Sequence, residues 1–208
     1  MRIGSGEHLV IVGTPGAGKT QFIIRGLLPI FPRVIVVDTT GDDFTFLPRV
    51  SVRRALALAR SNYSFRVRVE LSGYADEDEI QVDTLCRGLL NPKAVRVAVV
   101  FDEVTDYTSA PYMPPAMSSL IRKARHHGHT IISATQRLQY INKGFFANSV
   151  HRVYFYLSDY DCARVRDYAP WLQDRVAEIP YKSFRSLYQA PDGSVILLGP
   201  VPKPGGRN

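Results

Sequence analysis

Short apolar runs alternate with amphipathic stretches along most of the chain. Turn-forming residues bound each run, as is typical of strands that are buried on both faces of a parallel sheet. In the stretches between them the apolar residues recur with the helical period of about 3.6 residues. Strands are therefore predicted at residues 9–12, 33–38, 65–71, 95–101, 130–134 and 150–157. Helices are predicted at residues 21–28, 52–59, 76–90, 116–127 and 159–168.

The alternation of strands and helices predicts an α/β fold, with a mostly parallel central sheet and helices on both of its faces. Residues 186–198 are predicted to form a C-terminal β-hairpin, because a proline, an aspartate and a glycine at 191–193 favour a turn between two apolar runs. We expect one domain over residues 1–199. Residues 200–208 are rich in proline and glycine and are expected to form a flexible tail.

The composition is that of an ordinary soluble globular protein. Of the 208 residues 45% are hydrophobic and 22% are charged, and a chain of this length can bury a substantial core. No apolar run approaches the roughly 20 residues that cross a membrane, so we expect no transmembrane segment. Cys86 and Cys162 are far apart in sequence and are expected to be reduced core residues. The net charge of +7 is compatible with a polyanionic partner such as nucleic acid.

One stretch carries the clearest chemistry. It follows the first predicted strand, precedes the first predicted helix and matches the phosphate-binding pattern G-x-x-x-x-G-K-[ST]. Its residues are Gly13, Thr14, Pro15, Gly16, Ala17, Gly18, Lys19 and Thr20. The glycines let successive backbone N–H groups point at a phosphate, Lys19 brings a cation to the β and γ oxygens, and Thr20 offers a hydroxyl to Mg²⁺. The stretch therefore predicts a site for ATP and Mg²⁺.

Polar residues that follow two later strands predict the rest of this site. Asp102 follows the fourth predicted strand and would hold Mg²⁺, through water, beside Thr20. Glu103 comes next and would orient or deprotonate an attacking water. Gln136 closely follows the fifth predicted strand and would reach the γ-phosphate or that water. Each of the three has a simpler alternative, namely a capping carboxylate, a surface acid and a turn residue, respectively.

Several motifs, taken in order, resemble the FtsK–HerA superfamily of P-loop ATPases. They are the phosphate loop at 13–20, the strand at 34–38 with the T-T-G-D that follows it, the acid pair at 102–103, the helix end R-K-A-R-H-H-G at 122–128 and the strand end I-I-S-A-T-Q-R at 131–137. The last two motifs are much more selective than the phosphate loop. Because the chain is short and lacks long accessory domains, it is most similar to the genome-packaging ATPases of tailless icosahedral viruses with an internal membrane.

The resemblance implies a RecA-like P-loop NTPase fold and ATP hydrolysis that moves double-stranded DNA into a preformed capsid. It also implies a ring of subunits, often a hexamer, that acts at a capsid vertex in the host cytoplasm or in the virion. Members of the superfamily place an arginine in the nucleotide site of the neighbouring subunit. Arg125 is the first candidate for that arginine and Arg122 the second, while both are also compatible with ordinary cations at a helix C-terminus.

A ring that moves DNA needs basic or polar loops that face its pore, where contact with phosphates requires no reading of the base sequence. Residues 137–146, with Arg137 and Lys143, are favoured over residues 104–115, which contain no basic residue. The three histidines within residues 126–129 match no usual zinc spacing and are expected at an exposed helix end.

Three other functions are compatible with the sequence. The R-H-H-G and T-Q segments also fit the zonula occludens toxin family of phage assembly ATPases, whose members usually carry a membrane segment. A kinase of nucleotides or small molecules is disfavoured by Glu103 and Gln136, although Arg164 and Arg166 are compatible with one. A nucleotide-dependent scaffold that hydrolyses little is disfavoured by the intact phosphate loop and acid pair.

Overall fold

The apolar runs form the strands of one sheet in the computed structural model, which describes residues 1–39 and 41–200. The strands are β1 Leu9–Val12, β2 Arg33–Asp38, β3 Arg49–Val50, β4 Phe65–Val69, β5 Ala98–Asp102, β6 Thr130–Thr135, β7 His151–Tyr154, β8 Ser186–Gln189 and β9 Val195–Leu198. Their order across the sheet is β3-β4-β2-β5-β6-β1-β7-β8-β9. Of the predicted flexible tail, residues 201–208 lie outside the described residues.

The first seven strands in this order, from β3 at the edge to β7, are parallel to their neighbours. β8 is antiparallel to both β7 and β9. This arrangement confirms the predicted α/β fold with a mostly parallel sheet and a C-terminal β-hairpin. The α-helices are α1 Lys19–Phe22, α2 Val52–Leu58, α3 Ala75–Leu89, α4 Pro115–His127, α5 Lys143–Asn148, α6 Asp159–Val165 and α7 Gln173–Ala177. Within residues 1–39 and 41–200, no helix has both the length and the apolar character needed to cross a membrane.

The central strands are apolar because helices cover both faces of the sheet. All four residues of β1 are fully buried. Val10 and Val12 join a cluster on the face that α2, α3 and α4 cover, while Leu9 and Ile11 join a second cluster with the helical segment after the phosphate loop. A continuous apolar run is what a parallel strand needs when it is buried on both sides.

One predicted strand begins later than its apolar pattern. The strand predicted at 95–101 starts only at Ala98, and the N–H of Val97 donates to Nδ1 of His129 (3.2 Å) rather than to a neighbouring strand. At its other end β5 includes Asp102. The strand therefore delivers this carboxylate to the carboxyl edge of the sheet.

The helix predicted at 21–28 is present, but it is not a regular α-helix. The α-helical geometry ends at Phe22, and the chain continues as a π-helix over Ile23–Leu27 and a 3-10 turn over Leu28–Ile30. Periodicity alone does not separate these helix types. The elements β3, α5 and α7 were not predicted, because each is too short to carry a periodic pattern.

Two buried histidines, His129 and His8, make hydrogen bonds to the backbone near the amino ends of the strands. His129 accepts the N–H of Val97 at Nδ1 (3.2 Å) and donates from Nε2 to the carbonyl of Leu89 (3.0 Å), and His8 makes a similar pair of backbone bonds. The prediction that His129 lies at an exposed helix end is wrong, because left-handed Gly128 (φ 71°) turns the chain from α4 back into the sheet. Burial lowers the pKa of both rings, which favours their neutral form.

A pH series tests the contribution of His129 to stability. The pKa of His129 is lowered only in the folded protein, so the unfolded chain takes up a proton first as the pH falls below about 6.5. As the pH falls from about 8 to about 5, the free energy of unfolding should therefore decrease. The full loss is about 1.4 kcal/mol for each unit by which the pKa of His129 is lower in the folded protein than in the unfolded chain. Urea denaturation should show a smaller decrease for His129→Gln than for wild type.

The matched control is His126→Gln, since His126 is exposed on α4 and should leave the wild-type decrease intact. Equal decreases in wild type and His129→Gln would contradict the role of His129.

Candidate nucleotide-binding site

Three strands bring the predicted site residues to one edge of the sheet. β1 ends directly before the phosphate loop, β6 ends directly before Gln136, and β5 ends at Asp102. β6 lies between the other two strands. Because the carboxyl ends of parallel strands share an edge, the acid pair and the phosphate loop lie on either side of the end of β6.

The backbone of the phosphate loop depends on glycine at three positions. Gly16 (φ 72°) and Gly18 (φ 110°) adopt conformations that are costly for a residue with a side chain. A Cβ at Gly16 would have no neighbouring atom within 4 Å, so the loop is open on that side. At Gly13 a Cβ would lie only 2.6 Å from the Cβ of Phe155. The loop therefore has the curled, open backbone that binds a phosphate.

Lys19 is buried beneath this loop. Its ammonium group donates to the carbonyls of Gly13 (2.7 Å) and Thr14 (3.3 Å). Burial lowers the pKa of Lys19, and three nearby carboxylates oppose that effect. Phosphate oxygens are stronger acceptors than these carbonyls, so the same ammonium group can turn to a bound nucleotide.

Thr20 and Asp102 form the side of the site that fits Mg²⁺. The Thr20 hydroxyl donates to Oδ2 of Asp102 across 3.4 Å. Burial is the main cause that raises the pKa of Asp102 to about 6; Lys19 opposes it, and neighbouring carboxylates add to it. The described residues contain no group of three His, Cys, Asp or Glu side chains that could hold a metal alone. Mg²⁺ needs no such group, because phosphate oxygens and water complete its coordination.

Glu103 is held in a defined position by the end of β6. Its backbone is left-handed (φ 56°), a conformation that is costly for a non-glycine residue and frequent at functional sites. One carboxylate oxygen accepts the hydroxyls of Thr105 and Thr135, the latter at 3.1 Å, and the other accepts the N–H of Gln136 at 3.0 Å. These contacts hold the carboxylate at the end of β6, the strand that lies between β5 and β1.

Two threonines that contact Glu103 were not among the predicted site residues. Thr135 stands in the A-T-Q-R strand end, so that motif contained a signal for it, whereas Thr105 had none. Gln136 contacts Glu103 through its backbone N–H, whereas its side-chain amide was the group expected to act. The phosphate loop, Asp102, Glu103 and Gln136 are thus brought together at one edge.

Both candidate arginines lie on α4, and Arg125 lies at the opposite edge of the sheet. Both are exposed on α4, which ends just before β6 begins. The backbone of Arg125 lies against Gly6, where a Cβ would be 3.2 Å from the Arg125 Cα, and Arg122 donates to the carbonyl of Ser118 (3.3 Å). The four residues of β1, at about 3.3 Å each, separate Gly6 from the phosphate loop. Arg125 is therefore remote from the phosphate loop of the same chain.

The favoured DNA loop, residues 137–146, is tied to the rest of the protein at two points. Arg137 Nη1 lies 3.5 Å from Oδ2 of Asp161, whose side chain is fully buried. The amide of Asn142 donates to the carbonyl of Ser109 (3.3 Å), so the two candidate DNA loops are in contact. Because Arg137 already has a carboxylate partner, it is a weaker candidate for a DNA phosphate than its sequence position indicated.

No protein-family model and no curated protein matches the sequence. Solved structures do match. The DNA-packaging ATPase B204 of Sulfolobus turreted icosahedral virus has a TM-score of 0.76 at 16% identity, over 95% of this chain and 99% of that chain. The genome-packaging NTPase B204 of Sulfolobus turreted icosahedral virus 2, in complex with ATP-gammaS, has a TM-score of 0.74 at 16% identity, over 94% of this chain and 98% of that chain.

VirB4 of Thermoanaerobacter pseudethanolicus is also similar, with a TM-score of 0.62 at 10% identity, over 95% of this chain and 90% of that chain. At these identities the likeness is one of fold. The chain shares the fold of these proteins, which confirms the predicted P-loop NTPase fold.

Proposed function

We propose that the protein is an Mg²⁺-dependent ATPase that moves double-stranded DNA into a viral capsid as a ring of subunits. The observation that carries the proposal is the Glu103 carboxylate, which β6 holds between the Mg²⁺ side of the site and the phosphate loop. A carboxylate at this place can take a proton from a water that attacks the γ-phosphate. The fold shared with the packaging ATPase B204 supports the DNA-packaging part.

The phosphate loop and the Asp102 side have separate roles in binding. Backbone N–H groups of residues 13–20 bind the phosphates, and Lys19 leaves its loop carbonyls to contact the β and γ oxygens. Thr20 and Asp102 would hold Mg²⁺, which neutralises charge on the transferred phosphoryl group when it is bound. The buried charges would then balance, because Lys19 and Mg²⁺ contact phosphate oxygens and the Asp102 carboxylate faces the metal.

Hydrolysis requires that water be activated, and Glu103 supplies the base for it. Gln136 orients the same water or contacts the γ-phosphate through its amide. A kinase has to keep water out and does not need this second acid. Arg164, which was compatible with a kinase, forms an exposed ion pair with Asp167 (3.6 Å). Both observations favour release of phosphate to water over transfer to another substrate.

The ring explains how the exposed arginines of α4 act. Arg125 lies far from its own nucleotide site, so a neighbouring subunit has to bring its phosphate-loop edge to this arginine. A guanidinium at that place stabilises charge on the γ-phosphate and makes hydrolysis depend on the neighbour. We expect a hexamer at the capsid vertex, in the host cytoplasm or the virion, with exposed Lys143 and the net charge of +7 contributing to contact with DNA.

Glu103→Gln should abolish hydrolysis and leave nucleotide binding intact. The amide is isosteric but cannot take a proton from water, so phosphate release from ATP should fall at least about 100-fold. Calorimetry should give an unchanged Kd for ATP. Glu77→Gln, at an exposed position of α3, is the matched control and should keep the wild-type rate. A wild-type rate in Glu103→Gln would contradict its role, and transfer of phosphate to a nucleoside monophosphate without release to water would favour a kinase.

Mixed rings test whether Arg125 acts on the neighbouring site. Lys19→Ala and Arg125→Ala should each be inactive alone, but a mixture should recover activity, because a Lys19→Ala subunit still offers its arginine to an intact site. Phosphate release is measured after mixing, with mixed rings verified by mass. Lys19→Ala mixed with the double variant Lys19→Ala/Arg125→Ala should stay inactive. If verified mixed rings recovered no activity, Arg125 would be excluded and Arg122→Ala would be examined in its place.

A further inference from the structure

Aromatic side chains from the C-terminal part of the chain lie beside the phosphate loop. A Cβ at Gly18 would lie 3.1 Å from Cδ1 of Phe184, so this ring packs directly against the loop. Tyr181 packs on Tyr156, with 5.0 Å between the ring centroids and 55° between the ring planes. Phe184, Tyr181 and Tyr156 are called here the aromatic shelf; Phe184 contacts the loop next to the start of α1, and the two tyrosines contact each other.

The aromatic shelf is held in place on both sides. The carbonyl of Tyr156 accepts the N–H of Thr14 (3.0 Å), which joins the shelf to the phosphate loop. Lys182 and Phe184 both have left-handed backbones, with φ of 56° and 55°. Such conformations are costly for residues with side chains, persist only when their surroundings determine them, and are frequent at ligand sites. The shelf is therefore a built surface rather than a loose turn.

The position of the shelf matches one end of a bound nucleotide. The loop starts between two strands, since the Gly13 N–H donates to the carbonyl of Thr135, the last residue of β6, and the Thr14 N–H donates to the carbonyl of Tyr156, just beyond β7. The γ-phosphate end lies on the β6 side, where Glu103 and Asp102 are. A triphosphate bound in this direction carries its nucleoside away from β6, towards β7 and the aromatic shelf.

We propose that the aromatic shelf binds the nucleobase, with the ring of Tyr181 stacking on it. Tyr181 is 54% exposed and Tyr156 packs on one part of its ring. The exposed Lys182 ammonium lies 5.3 Å from the ring centroid, and a base that stacks on Tyr181 has to displace it. Stacking tolerates any base because every base has a π-face, and its strength follows ring area, so purine nucleotides should bind more tightly than pyrimidine nucleotides. This inference rests on the proposed nucleotide binding and adds to it which residues hold the nucleoside.

Two ligands distinguish binding by the aromatic shelf from binding by the phosphate loop. Mg²⁺–ATP uses both, whereas inorganic tripolyphosphate with Mg²⁺ uses the phosphate loop alone. Calorimetry should show that Tyr181→Ala weakens ATP binding roughly tenfold and leaves the Kd of tripolyphosphate unchanged. Tyr181→Phe keeps the ring and should bind ATP like wild type. Tyr63→Ala, a highly exposed tyrosine just before β4, is the matched control and should bind both ligands like wild type.

Two results would overturn the aromatic shelf as a nucleobase site. One is an affinity for ATP in Tyr181→Ala that equals that of the wild type. The other is an equal loss of affinity for ATP and for tripolyphosphate in that variant, which would show only damage to the phosphate loop. Failure of the wild-type protein to bind either ligand is a different outcome, because it would overturn the proposed nucleotide binding as well.

Discussion

The candidate nucleotide site depends on two buried groups of opposite charge, the Lys19 ammonium and the Asp102 carboxylate, at the carboxyl edge of the parallel sheet. For both Lys19 and Asp102, burial moves the pKa towards the uncharged form, and each group opposes that shift in the other. Such charges are costly unless polar groups surround them, and here loop carbonyls satisfy the ammonium group while the Thr20 hydroxyl contacts the carboxylate. In the proposed function a nucleotide with Mg²⁺ would complete this balance, so the groups that are costly in the free protein would be the ones that bind the ligand.

β6 connects Glu103, at the carboxyl edge of the sheet, with the loops and the helix that follow this strand. The end of this strand holds the Glu103 carboxylate through Thr135 and Gln136. The next residue, Arg137, pairs with the buried carboxylate of Asp161 in α6. In the proposed function, a change at the γ-phosphate that displaces Glu103 would act on these contacts and reach the loops after β6, as the proposed coupling between nucleotide and DNA requires.

The fold and most of the site could be predicted because they depend on local patterns. Alternating apolar runs and helical periods determine the sheet, and the phosphate loop and the acids follow strands by fixed spacing. Contacts between residues far apart in sequence carried no such signal. The packing of Tyr181 on Tyr156, the contact of Phe184 with the phosphate loop and the burial of His129 all depend on how the chain returns to the sheet. The proposed trans position of an arginine would depend on a neighbouring subunit and has no counterpart in one chain.

The central claim is that nucleotide hydrolysis at this edge of the sheet drives DNA through a ring. It is tested most directly by the rate of phosphate release from ATP with and without double-stranded DNA, read beside the oligomeric mass of the protein under the same conditions. We predict slow hydrolysis by the protein alone and faster hydrolysis with duplex DNA, in a protein that has the mass of a ring. A rate that duplex DNA leaves unchanged, in protein that has assembled into a ring, would contradict the account.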